Sequence, residues 1–151
     1  MSLITCASGK SLWRGIDYFN NKKVSTFECV TEYEYTGTVQ GSNGEVYATM
    51  IDIAHPRKSK CTCSFADGKR VVCKHMIALY FTVFPDEVEK VYRQAQEAEK
   101  EAERYEKELV ERAHQCVMRM KKHELQRTVL HLLDYGPEWL FDHFVRMNDL
   151  E

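Results

Sequence analysis

Apolar and polar positions follow two rhythms along this chain, and the change comes near Phe84-Pro85. Before it, aromatic and β-branched residues are punctuated by glycines; after it, Glu, Lys, Arg, Ala and Leu dominate. Residues 11–20 (SLWRGIDYFN) set Leu12, Ile16 and Phe19 at helical spacing and predict a short helix, weakened at Gly15. Residues 24–30 suit a strand. EYTGTVQ and EVYATMIDI flank Gly41-Ser42-Asn43-Gly44, a hairpin signal because Asn and Gly both tolerate positive φ. In the second arm Tyr47, Thr49, Ile51 and Ile53 share one face, and Val46, Ala48 and Met50 the other. His55-Pro56 ends that arm, and residues 60–64 read as a further short strand. From His75, HMIALYFTVF predicts a buried helix, which Pro85 closes because proline disfavours helix in the residue before it.

The longest regular signal covers 86–122. Proline and acids suit its first turn, and a heptad frame aligns Val88, Ala95, Ala102, Leu109 and Cys116, with Val91, Ala98 and Tyr105 at the second seam position. The second seam fails at Arg112. Such a helix is roughly 50 Å long at about 1.5 Å per residue. It must pack on the last segment, meet a partner, or stand partly in solvent. Beyond it, Leu125, Val129, Leu132 and Leu133 form one apolar stripe, Gly136-Pro137 is a break, and Trp139, Leu140, Phe144 and Val145 follow. These final helices are suited to folding back as a small bundle. The expected division is 1–84 and a helical extension, 85–151.

Composition narrows this picture. With 151 residues, 44% hydrophobic and 29% charged, the chain has room for one ordinary domain, or a small domain plus an appendage. No apolar run approaches the roughly 18 residues a spanning helix needs, and MSLITCASGK lacks an apolar signal core. The expected setting is the cytoplasm, with thiols reduced and no membrane partner. Of six cysteines, Cys6, Cys29 and Cys116 are scattered and read as packed thiols, whereas Cys61, Cys63 and Cys73 cluster with His75.

That cluster, CTCSFADGKRVVCKH, holds two i,i+2 pairs. Residues two apart on a strand share a face, so Cys61 and Cys63 can present both sulfurs together. On a helix, residues two apart diverge by about 200°, so Cys73 and His75 converge only if the helix begins between them. A strand, a loop and a helix N-terminus then close around one point. Three thiolates and an imidazole suit tetrahedral zinc, and four protein ligands leave no open position for water, which makes the site structural. Redox chemistry would call for Cys-x-x-Cys, and a Cys61–Cys63 disulfide would leave Cys73 and His75 without a role. The nearby His55 reads as solvated.

Cys-x-Cys, a short gap and Cys-x-His resemble the SWIM-type zinc finger at Cys61, Cys63, Cys73 and His75. The resemblance extends over YFNNKKV, GTVQGSNGEVYATMIDI, CTCSF and CKHMIALYF, about residues 9–84. Ser64 stands where many members place proline. The Leu-rich stretch before GPEWLFDHF is loosely similar to the tails of stand-alone bacterial SWIM proteins. The resemblance implies structural zinc, no catalysis, and partners among DNA or proteins, such as helicase-like ATPases. The expected fold is α+β: a small antiparallel sheet, a CxC…CxH zinc site capping a helix, and a mostly α-helical C-terminal extension.

Net charge is only −2, so nucleic-acid binding requires a local patch. Around the cluster, Arg57, Lys58, Lys60, Lys69, Arg70 and Lys74 face Asp67 alone; the metal and three thiolates lower that excess to about +4. These cations either meet a phosphate backbone or offset the anionic metal centre. Over 86–113, ten acids outnumber six bases, which would repel phosphate. The alanine-lined seam there suits a protein partner or a second copy of the chain; the alternative is an exposed helix held by i,i+4 pairs such as Glu103–Lys107. Ser8-Gly9-Lys10-Ser11 lacks the earlier glycine of a phosphate loop. His114, His123, His131 and His143 have no nucleophile signature beside them, so no enzymatic activity is expected.

Overall fold

A computed structural model describes residues 2–150. The elements run α1 (Leu3–Cys6), α2 (Gly9–Asn20), β1 (Val24–Cys29), β2 (Glu34–Gln40), β3 (Val46–Asp52), a 3-10 turn (Pro56–Lys58), β4 (Lys60–Cys61), α3 (Lys74–Val83), α4 (Asp86–Arg119), α5 (Lys122–Tyr135) and α6 (Glu138–Met147). The fold is α+β, as expected. The described residues divide into two compact units between Gln96 and Glu97, within α4.

In the first unit the four strands form an antiparallel sheet in the order β1-β2-β3-β4. The GSNG hairpin forms, but not through a two-residue turn. Gln40 pairs with Val46, Gly41 N–H donates to Glu45 O at 2.7 Å, and only Gly44 takes a positive φ (+81°). The loop is thus five residues, and Asn43 needs no left-handed conformation.

Period-2 alternation assigns the faces. Tyr35, Val39, Tyr47, Thr49 and Ile51 look inward; Thr36, Thr38, Ala48 and Met50 look outward. The core lies around α3, whose Met76, Ile77, Ala78, Leu79 and Phe81 are fully buried. A helix apolar on every side must be covered on every side. The sheet covers one side and α2 another. Ser8 caps α2, its side chain accepting from Ser11 N–H at 3.2 Å, so the Gly-Lys-Ser motif is a helix start. Gly15 lies where α2 meets α3: a Cβ there would overlap Ile77 and lie 3.0 Å from Lys74 O. The position that looked weak in the sequence is a requirement of helix packing. Val88 and Val91 of α4 complete the core, and Asn20 Nδ2 donates to Tyr92 Oη at 3.3 Å.

The second unit differs in kind. The long helix stops at Arg119, three residues short of its expected end, and α5 restarts at Lys122, where Glu124 accepts from Lys121 N–H at 2.8 Å. Val129, Leu133, Leu140, Phe144 and Val145 are half-buried in α5 and α6, while Leu125, Leu132 and Trp139 are exposed. No described residue from 97 to 150 is buried. Arg104 approaches Glu101 and Glu108, whereas Glu103–Lys107 is not among the ion pairs of the described residues. Exposed pairs of this kind add little, about 0.2–1 kcal/mol.

Candidate metal centre

The donor atoms of Cys61, Cys63, Cys73 and His75 all lie within 4.8 Å of one another, and all four residues are buried. Each reaches this point for a local reason. Cys61 ends β4, opposite Thr49 on the inward face. Cys63 is past the strand: β4 covers only Lys60–Cys61, and the Cys63 carbonyl accepts from Ala66 and Asp67 N–H at 2.9 and 2.8 Å. The strand expected over 60–64 is therefore two residues long, because the chain turns to bring Cys63 round. Thr62 N–H still donates to Ala48 O at 3.1 Å, which keeps the turn against β3. Cys73 is the N-cap of α3 and His75 lies in its first turn, so the helix does begin between them.

His75 directs Nδ1 at two sulfurs, 3.6 Å from Cys61 Sγ and 3.9 Å from Cys73 Sγ. In a tetrahedron with metal–sulfur bonds of about 2.3 Å and metal–nitrogen bonds of about 2.0 Å, neighbouring donors are about 3.5–3.8 Å apart. The observed spacings fit such a group. The imidazole is only 3% exposed, and its Nε2 has no hydrogen-bond partner among the described residues. Burial of a polar ring is costly unless it is compensated, and a metal bound at Nδ1 would offset part of that cost, though not the part that falls on Nε2. The donor set is that of a closed structural zinc site.

The thiols interact strongly. Cys61 is held well below the ordinary thiol range, chiefly by Cys73 as hydrogen-bond donor, with burial opposing and His75 and Thr49 adding donors. Cys73 is pushed up, first by Cys61 and then by burial. Two buried thiolates side by side repel each other, and a shared cation removes that conflict.

Three surrounding residues were not singled out from the sequence. Thr49 Oγ1 donates to Cys61 Sγ at 3.4 Å. Tyr47 stacks on His75 with centroids 4.5 Å apart and donates to Glu45, which pushes its pKa up to about 12. Tyr18 is the other ring contact of His75, with centroids 5.5 Å apart. Thr49 and Tyr47 share the inward face of β3 by alternation, which was the available signal; only the sheet register makes them neighbours of the cluster.

The six basic residues separate. Arg57, Lys58, Lys60, Lys69 and Arg70 line one groove of about 1400 Å³ on the outward face of the sheet. Lys74 is elsewhere: its Nζ donates to Tyr18 Oη at 2.6 Å and lies 4.2 Å from that ring's centroid. Alternation explains why the Lys60 and Cys61 side chains part company, Lys60 exposed and Cys61 buried among the metal donors. His55 belongs to neither group: it is exposed, with Nδ1 3.4 Å from Asp52 Oδ2. His114, His123, His131 and His143 are all exposed. Of the scattered thiols Cys6 is half-buried, but Cys29 and Cys116 are exposed rather than packed.

No described helix is long and apolar enough to cross a membrane. Neither a curated protein nor a solved structure matches the chain. Residues 38–84 match the family model of the SWIM zinc finger. That span begins within β2, later than the residues 9–84 over which the resemblance was expected, and it takes in the hairpin, β4, α3 and all four donors. Over residues 38–84, the chain is similar to the SWIM zinc finger.

Proposed function

We propose that this chain is a zinc-stapled, non-catalytic binding module that engages DNA through Arg57, Lys58, Lys60, Lys69 and Arg70. Zinc would be held by Cys61, Cys63, Cys73 and His75; bound there, it cross-links β4, the turn after it and the start of α3. The observation that carries the DNA reading is the gathering of five cations in one groove, beside the outward side chains of β2 and β3. Lysine and arginine contacts to phosphate release counterions and make binding salt-dependent.

The test is capture of the zinc-loaded chain on immobilised DNA at two salt concentrations. Retention that falls steeply with salt is expected. Absence of retention even at low salt would end the DNA reading.

A second reading has its own support. Tyr105, Leu109, Val110 and Val117 of α4 are exposed, and residues 97–150 contain no buried position. The acidic helix then takes a protein partner or a second copy of the chain, with zinc purely structural. Sedimentation that gives a strict monomer would exclude self-association.

A further inference from the structure

The groove has a floor as well as a wall, and its charge runs across the sheet. Successive register pairs set Glu28 opposite Thr36, Thr36 opposite Met50, and Met50 opposite Lys60. One row thus crosses all four strands, from a carboxylate on the β1 edge to an ammonium on β4. The adjacent row runs Thr26, Thr38, Ala48, and the pairing continues to Thr62 through the Ala48 N–H to Thr62 Oγ1 bond of 3.1 Å. Thr26 and Thr38 hydroxyls lie 2.7 Å apart. Arg57, Lys58, Lys69 and Arg70 join Lys60 as a predominantly cationic border with Asp67 as its one carboxylate, and Glu28 and Glu34 lie on β1 and β2, away from it. Three strand spacings of about 4.8 Å make the floor roughly 14 Å wide.

We propose that this groove seats one strand of nucleic acid, its phosphates along the Arg57–Lys60 and Lys69–Arg70 border and its bases across the floor. The inference rests on the DNA reading above and adds strandedness and orientation to it. Unpaired bases expose edges that the Thr36 and Thr38 hydroxyls can meet as donors or acceptors. Met50, in the middle of the floor, offers a polarisable thioether to an aromatic base. A duplex keeps its base edges within its own grooves and brings a second phosphate backbone. Here that second backbone would meet Glu28 and Glu34 instead of cations, and it would be repelled.

The experiment measures fluorescence anisotropy of a labelled mixed-sequence single strand, and of the same sequence as a duplex, with the zinc-loaded full chain. At low salt the single strand is expected to bind at least tenfold more tightly. Lys60→Ala should weaken it several-fold and reduce the salt slope by about one. Thr38→Val should weaken single-strand binding with little change in salt slope. Glu28→Gln, an exposed edge change, should narrow the preference by admitting the duplex; circular dichroism and zinc content check that each variant is folded. Equal or tighter duplex binding would overturn the groove assignment while leaving the DNA reading standing. So would single-strand binding indifferent to both Lys60→Ala and Thr38→Val. Binding of neither nucleic acid would remove both readings, and polyglutamate binding as tightly as the single strand would assign the groove to acidic peptides.

Discussion

Gly15→Ala is a change of one methyl group at which two effects compete. In an isolated helix the alanine would stabilise α2 by about 1 kcal/mol. Here the added Cβ overlaps Ile77 at its own Cβ and Cγ2, which are the root of a side chain and not its movable end. Ile77 has no exposed surface into which it could swing, and the Lys74 carbonyl 3.0 Å away is backbone. Relief therefore requires α2 and α3 to separate, and overpacking of this kind costs about 1–3 kcal/mol. An overlap with the root of a buried side chain falls in the upper part of that range, about 2–3 kcal/mol, so overpacking wins with a net loss of about 1–2 kcal/mol. For a unit of this size that lowers Tm by about 4–15 °C. Because α3 carries Cys73 at its cap and His75 in its first turn, the displacement should also weaken metal binding. Thermal unfolding of the zinc-loaded protein and competition with a chelator read the two effects. Ile77→Ala alone should cost about 2–5 kcal/mol. Combined with Gly15→Ala it should cost less than the two together, because it removes Cγ2, the atom that the new methyl overlaps most closely. Stability equal to or above the parent in Gly15→Ala would mean that propensity prevails, and it would refute the close approach of α2 and α3.

Cys73→Ser should lose the cooperative unfolding transition of the first unit, since metal binding and folding are coupled in small domains; unchanged thermal stability at matched zinc content would oppose this. Thr49→Val removes the donor to Cys61, so its thiol binds protons more readily, and zinc affinity should fall about 10–100-fold, most visibly as pH is lowered, in a chelator competition. For Tyr47 the folded pKa, about 12, lies above the ordinary value of 10.0 and owes this first to Glu45. A raised pKa contributes stability fully present below about pH 10 and lost as pH rises towards 12. Glu45→Gln should move the Tyr47 titration, followed by ring NMR, back towards the ordinary value.

Local periodicity made most of the first unit legible. The alternation in residues 46–53 fixed which β3 side chains look inward, and the requirement that Cys73 and His75 straddle a helix start placed α3. The length of β4 was not legible, because the apolar and polar pattern of residues 60–64 does not record that Cys63 must turn back towards Cys61. Gly15 read as a flaw because the partner that needs its missing side chain, Ile77, lies sixty-two residues further on. The grouping of cations also depended on distance in space: Lys74 follows Cys73 in sequence, yet its ammonium goes to Tyr18 while its five fellows line the opposite face of the sheet. In the second unit the helices were evident from composition, but the seam of Ala98, Ala102 and Leu109 promised packing that these residues do not find within the chain, where all three are exposed.

The central claim is that three sulfurs and one nitrogen from this chain hold a single zinc ion. X-ray absorption at the zinc edge, with metal analysis of the same sample, tests it most directly. One zinc per chain with three sulfur neighbours near 2.3 Å and one nitrogen near 2.0 Å is the expected result, and His75→Ala should remove the nitrogen neighbour from the spectrum. Zinc well below one per chain, or a shell with two sulfurs and the balance oxygen, would contradict it.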